Sequence, residues 1–315
     1  MFVKLLNQIT IKPSLVRSIC ESKSLLQEAK GSSSNLFKLR KSTGYALNKC
    51  KEALEKNEGD IEAATKWLNE QAQKEGWSKA EKLKNRQTKQ GTLVLYAEKE
   101  KNLATLVELN CETDFVARNE KFLDLSSHLA KSILWNAPVK GNKELIEKEE
   151  LNKIKFLDQN KTLGDQIALA IGTLGENMSI RRAVVLSLRE DEKMGWYMHG
   201  SITDPMNNCH FGKYGALVNF RLTQKNENYK TFDIGRQIAQ HVVGMKPLTL
   251  GEMPVEEVNL DEPVKIDDNE TRLLYQEFLM KPNTRVLDFI NENHAKINDF
   301  VRLECGEILE NDENK

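Results

Sequence analysis

Leu103-Ala-Thr-Leu-Val-Glu-Leu-Asn110, running into Cys111-Glu-Thr-Asp-Phe-Val-Ala-Arg-Asn119, is the stretch around which the chain is organised. Its first eight residues mix β-branched side chains and leucine densely enough to read as a half-buried strand. From Val116 the apolar period changes. Phe122, Leu129 and Ile133 share one helical stripe, with Leu123, Ala130 and Leu134 beside it, which predicts a long helix from Asp114 to just before Pro138. Thr113 stands at the break as an N-cap, its hydroxyl free to accept a bond from a first-turn N–H. Asp114 falls in the first turn, where its charge suits the positive end of the helix dipole. Asp114 and Phe115 therefore occupy the mouth of a strand-to-helix turn, a place that presents an acid and an aromatic ring together. Periodicity alone gives Phe115 another role. It projects at nearly the same angle as Phe122 and Ile133, and on that count it belongs to the core.

On either side of this stretch the pattern is mixed. Thr92–Ala97 and Leu103–Asn110 flank the polar turn 98–102, a hairpin pattern. Residues 139–160 are charged and weakly periodic, reading as a helical hairpin arm or a loop. Thr162-Leu-Gly-Asp165 has the form of a capping box opening a helix through Ile171. Strands follow at Ala183–Leu188, around Tyr197-Met-His-Gly200, and at Tyr214–Leu222. A helix over Phe232–Met245 places Ile234, Ile238, Val242 and Met245 for burial, and another is expected over Thr284–Glu292. Strands followed by a helix thus occur twice, in 92–136 and 183–245. The expected fold is α+β, with a core of two similar subdomains side by side (91–175 and 176–276) and a C-terminal segment, 277–315. Each subdomain is read as an antiparallel sheet covered by helices on one face.

Residues 35–76 read as three short helices. The first holds Leu36, Phe37, Leu39 and Arg40 and stops at Thr43-Gly44. The second spans Tyr45–Asn57 with Leu47, Cys50 and Leu54 on one face. The third is capped by Asp60, buries Ile61, Ala64, Trp67 and Leu68, and closes at Gly76. Residues 77–90 form a basic connector: Lys79, Lys82, Lys84, Arg86 and Lys89 stand against Glu81. Such a run reads as a solvated helix and linker, or alternatively as an RNA-facing arm. Residues 1–33 stand apart. Through Cys20 they carry Lys4, Lys12 and Arg17 with no acid, interleaved with apolar residues, and lead into Gly31-Ser-Ser-Ser34. That opening reads as a mitochondrial transit peptide, or else as an ordinary tail.

Composition narrows the function. In 315 residues, 30% are charged and the net charge is −1, so no general nucleic-acid or membrane field is indicated. No apolar run approaches the roughly 18 residues of a membrane span. Five cysteines (Cys20, Cys50, Cys111, Cys209, Cys305) lie far apart without a C-x-x-C pair, which argues against a disulfide framework or a zinc site. Gly212-Lys213 lacks the upstream glycine of a phosphate-binding loop and is followed by Tyr214, so direct nucleotide binding is not expected. His199, Cys209, His210 and His241 have no ligand spacing. No cofactor, no metal and no catalytic constellation are expected; the chain does not read as an enzyme.

Val107-Glu-Leu-Asn-Cys-Glu-Thr-Asp-Phe-Val-Ala-Arg118 closely resembles the signature of the translation elongation factor Ts family. A second resemblance lies upstream, in Leu39-Arg-Lys-Ser-Thr-Gly44 and Cys50-Lys-Glu-Ala-Leu54, and further ones in Gly175-Glu-Asn-Met-Ser-Ile-Arg-Arg182 and Tyr197-Met-His-Gly200. The resemblance covers residues 35 to about 310. It implies a guanine nucleotide exchange factor for elongation factor Tu, bound one-to-one, acting in translation elongation in the mitochondrial matrix. It also implies a ubiquitin-associated-like N-terminal fold that touches the partner through Arg40 and Leu47. Thr113, Asp114, Phe115 and Val116 match the part that intrudes beside the GTPase's Mg²⁺ site, and His199 with Gly200 the part near its phosphate-binding loop. The short, acidic Pro247–Gln276 stretch is expected to lack the coiled-coil insertion of bacterial members. Two other classes remain open on the residues: an RNA-binding translation accessory protein using 77–90, and a ubiquitin-like-binding adaptor using 35–76.

Overall fold

The computed structural model describes residues 34–98, 102–139, 141–157, 160–204, 208–224, 231–252, 267 and 269–308. The expected transit peptide (1–33), the tip of the first hairpin (99–101) and the middle of the Pro247–Gln276 stretch (253–266) lie outside them. The chain divides into two compact units, Met1–Lys74 and Glu75–Lys315.

In the first unit, α1 (34–43), α2 (Leu47–Lys56) and the start of α3 (Ile61–Leu83) enclose a small core of Leu39, Cys50, Ala53, Leu54, Ala64 and Leu68. Gly44 ends α1 in the left-handed region, φ 72°, and donates its N–H to the Arg40 carbonyl at 2.8 Å. Asp60 caps α3, its Oδ1 accepting from the N–H of Glu62 at 2.8 Å and of Ala63 at 3.1 Å. Leu47, expected on one face with Cys50 and Leu54, opens α2 and is 41% exposed, whereas those two are buried.

Gly76 does not close α3 as expected. The helix runs on to Leu83, and residues 77–83 of the expected connector are helical. The glycine answers a different need: a Cβ there would lie 1.7 Å from the Ala168 carbonyl oxygen, so only glycine lets the two helices approach this closely. Beyond it, Ala80 and Leu83 pack on the core of the second unit.

That unit holds two antiparallel sheets. The first is built from β1 (Gln90–Glu98), β2 (Leu103–Cys111), β3 (Lys143–Glu147), β4 (Met178–Ser187), β6 (Ile202–Asp204) and β7 (Cys209–Gly212), in the order β3-β4-β2-β1-β7-β6. The second is β5 (Glu192–His199), β8 (Tyr214–Leu222) and β9 (Ala295–Glu304), with β8 central. One face of the first sheet is covered by α5 (Glu120–Asn136) and α7 (Leu163–Leu174), around Phe122, Leu129, Ile133 and Ile167. One face of the second is covered by α8 (Thr231–Met245) and α9 (Val286–Glu292). The remaining faces meet each other through Leu93, Leu95, Leu106, Val184, Leu186, Met198, Leu217 and Leu303.

The result is four layers, helix–sheet–sheet–helix, with the sheets face to face instead of side by side. The expected division at 175/176 does not separate them, because β4, β6 and β7 all join the first sheet. β4 shows why. Ala183 and Val185 feed the helix-side core while Val184 and Leu186 feed the inter-sheet core, so the strand needs an interior place with both faces covered.

Two further expectations change. Residues 139–160 contain β3 and the short α6 (Lys148–Leu151). β3 is an edge strand with one inward residue, Ile146, among charged neighbours, and so little apolar period shows in the sequence. The long helix from Asp114 is two pieces: α4 (Asp114–Ala117), then α5 after Arg118 and Asn119. Asn119 takes an extended conformation, φ −71° and ψ 134°, and its Oδ1 caps α5 by accepting from Lys121 N–H at 2.9 Å.

Buried polar groups fasten the later segments. Glu108 of β2, fully buried, accepts from Arg182 Nε at 2.8 Å, Arg181 Nη1 at 3.3 Å and the Gly306 N–H at 2.7 Å. His241 of α8 lies within 3.1 Å of Gln276 Oε1 through Nε2 and accepts the Leu279 N–H at Nδ1, 3.2 Å away. Burial lowers its pKa to about 4, the bond to Gln276 opposing the shift.

Candidate functional site

The chain crosses between the two sheets at Gly200-Ser201, from β5 to β6, and again at Lys213, from β7 to β8. The crossings are close: a Cβ on Gly212 would stand 3.0 Å from the His199 carbonyl oxygen. Together with the β2–α4 turn they enclose a cleft of about 950 Å³, lined among others by Thr113, Asp114, Phe115, His199, Gly200 and Lys213. Two sequence motifs some eighty residues apart therefore face one space.

Thr113 builds the near wall. Its backbone is extended, and its Oγ1 accepts the Val116 N–H at 3.3 Å, as an N-cap should. Its own N–H donates to Glu176 Oε2 at 3.1 Å, and its hydroxyl donates to Glu176 Oε1 at 2.8 Å. Its carbonyl accepts the Ala117 N–H at 3.2 Å and the Cys111 thiol at 3.1 Å. That thiol is no nucleophile: burial, then the nearby Glu176 charge, pushes its pKa up to about 12.

Phe115 is 82% exposed. The periodic reading that placed it in the core ran the helical angle across the break at Asn119, where the angle is lost. Within α4 the neighbours point the other way. Val116, expected to face a partner, is 9% exposed and packs in the helix-side core, since residues adjacent on a helix cannot share a face. Asp114 pairs with Arg118 one turn on, at 3.4 Å in the open.

His199 ends β5 and is exposed. Its Nδ1 lies 3.2 Å from Tyr197 Oη, and its ring meets Tyr214 edge-on at 6.2 Å. Gly200 follows with φ 62°, a turn that glycine adopts without strain. Lys213 Nζ donates to the Gly91 carbonyl at 2.7 Å and ties the second crossing to the start of β1. Arg40 and Leu47, the other expected site residues, belong to the first unit and are both exposed.

Sequence reasoning missed Glu112, Glu176, Asn177, Ile202 and Lys213. Glu112 Oε1 accepts the Asn177 N–H at 2.8 Å, the counterpart of the bond from Thr113 to Glu176. Only the pairing of β2 with β4, which sets Cys111 opposite Met178, brings these turns together. Ile202, 65% exposed on the cleft rim, sits on a three-residue strand too short for any period to show. What the arrangement offers is an acid, an exposed ring and an imidazole around one cleft.

Two family models match the chain. One, described as Elongation factor TS, matches residues 112–270. The other, described as Elongation factor Ts, mitochondrial, N-terminal, matches residues 16–78. Among similar curated proteins, one from Branchiostoma floridae named "Elongation factor Ts, mitochondrial" is 45% identical over 305 residues, 88% of this chain and 90% of its own length. Proteins of the same name from Salmo salar and Homo sapiens are 44% and 40% identical, each covering 86% of this chain. Those alignments span 85% and 82% of the two relatives.

Proposed function

The chain belongs to the elongation factor Ts family, mitochondrial type, and we propose that it is the guanine nucleotide exchange factor for elongation factor Tu in mitochondrial translation elongation. Residues 1–33 serve as a transit peptide to the matrix. The mature chain binds the GTPase one-to-one and does not itself bind nucleotide. The N-terminal unit is a ubiquitin-associated-like domain that adds a contact through Arg40 and Leu47.

The observation that carries this reading is Phe115, an exposed ring beside Asp114 on a turn held at every polar atom of Thr113, facing the same cleft as His199. An exposed aromatic side chain on a fixed turn loses little entropy when it enters a pocket. Asp114 and Phe115 intrude beside the GTPase's Mg²⁺ site, and His199 with Gly200 presses near its phosphate-binding loop. Displacing groups that hold Mg²⁺ weakens the screening of the GDP phosphates, and GDP leaves. Val116 and Ala117 support the tip from the core side.

The test is release of fluorescent GDP from purified mitochondrial elongation factor Tu, chased with unlabelled GDP. The rate should rise with added full chain and reach a plateau. A rate that stays at its intrinsic value at all concentrations would overturn the proposal.

A further inference from the structure

Phe115 and Asp114 owe their position to a turn, and the turn is fastened from outside its own segment. Residues 112–113 follow β2; residues 175–177 precede β4; the strands pair with Cys111 opposite Met178, which sets the turns side by side. Each gives the other a carboxylate. Glu112 Oε1 takes the Asn177 N–H at 2.8 Å, and Glu176 takes both the N–H and the hydroxyl of Thr113, at 3.1 and 2.8 Å. Asn177 is anchored in turn, its Nδ2 donating to the carbonyls of Leu83 at 3.1 Å and Arg86 at 3.2 Å. Gly175 makes this possible by ending α7 at φ 85°, which turns the chain so that Glu176 meets Thr113.

We infer that Glu176 is a positioning residue for nucleotide exchange: its carboxylate fixes Thr113 so that Asp114 and Phe115 stand ready before the partner arrives. The inference rests on the exchange reading above. α4 is only four residues long and has little stability of its own. Without Glu176 the Thr113 hydroxyl loses the acceptor of its proton and is free to leave the Val116 N–H. The tip then samples several conformations, and the apparent affinity for the GTPase falls by the fraction still competent. Once bound, the tip is held by its partner, and the limiting release rate is kept.

Glutamine separates this role from that of a bare charge. Glu176 Oε2 alone lies 3.1 Å from both the N–H and the Oγ1 of Thr113, so an amide oxygen in its place keeps both bonds. The experiment uses the full chain and titrates it into mitochondrial elongation factor Tu carrying fluorescent GDP. Glu176→Ala should raise the half-saturating concentration about tenfold and leave the plateau rate within about twofold; Glu176→Gln should restore most of the loss. In the Phe115→Ala background the effect of Glu176→Ala should shrink to about threefold or less, because the ring to be positioned is gone. Equal losses in both backgrounds, an unchanged half-saturating concentration, or no rescue by glutamine would overturn the inference. If Glu176→Ala does not fold, Glu176→Met keeps the side chain's length, offers Thr113 no carboxylate oxygen and takes its place in the cycle. Failure of the exchange reading looks different: wild-type protein then leaves GDP release at its intrinsic rate at every concentration.

Discussion

Replacing Phe115 by alanine removes a ring that is 82% exposed in the free protein. A buried phenylalanine covers ~200 Å². Less than a fifth of that is covered here, or ~40 Å², and at ~25 cal/mol per Å² its loss costs about 1 kcal/mol at most. A unit of this size melts about 2–4 °C lower for each kcal/mol lost. The internal comparison is Phe122, seven residues on and fully buried. Its truncation leaves a cavity costing about 3–5 kcal/mol, which lowers the melting temperature by roughly 6–20 °C. In the exchange assay the order reverses. Phe115→Ala should weaken engagement of the GTPase by about 2 kcal/mol, the scale of an interface hot spot, or about 30-fold in half-saturating concentration. The assay pairs a thermal melt with a GDP-release titration on one preparation. A Phe115→Ala melt as low as that of Phe122→Ala, or exchange indistinguishable from wild type, would refute the reasoning.

Gly76→Ala tests the helix contact in the second unit. Alanine is normally the better helix former by ~1 kcal/mol, but the 1.7 Å approach to the Ala168 carbonyl should make the variant less stable by about 1–3 kcal/mol in urea unfolding. His241 predicts a pH dependence. Its pKa is about 4 folded against an ordinary 6.5, so the unfolded chain binds more protons between those values. Its contribution is therefore whole above about pH 6.5 and falls, by up to about 1.4 kcal/mol per unit, as the pH drops toward 4. Urea midpoints taken from pH 7 to 4 should decline less steeply for His241→Gln than for wild type. Glu108→Ala removes one of the two carboxylates that hold the buried Arg182 guanidinium and leaves only Glu307, and should cost about 3 kcal/mol by the same unfolding measurement.

Much of this molecule is written locally. The capping box at Thr162 and Asp165 forms as its residue types imply, and β1 pairs β2 antiparallel across their whole lengths, as the hairpin pattern implies. β8 occupies Tyr214–Leu222, the bounds expected from the sequence. What could not be read is what depends on partners distant in sequence. Gly76 looks like a helix stop until Ala168 is known to lie against it. β4 seems to open a second subdomain until β2 is seen to be its neighbour. β3, β6 and β7 have so few inward residues that no period identifies them. At the site, Thr113 was legible as a cap and Asp114 as a first-turn acid from their own types. Phe115 was ambiguous, because one extended residue at Asn119 resets the helical angle and sequence periodicity carries no mark of it. Glu176 was invisible as Thr113's partner, 63 residues away.

Exchange by this route requires the protein to bind the GTPase in competition with GDP. Linkage gives it a quantitative form: the factor by which the protein weakens GDP must equal the factor by which GDP weakens the protein. The direct measurement is a binding titration of the full chain against mitochondrial elongation factor Tu, once nucleotide-free and once with saturating GDP and Mg²⁺. Affinity for the nucleotide-free form should be at least about 100-fold tighter, the factor matching the loss of GDP affinity measured in the reverse experiment. Equal affinities for the two forms, or tighter binding to the GDP form, would contradict it.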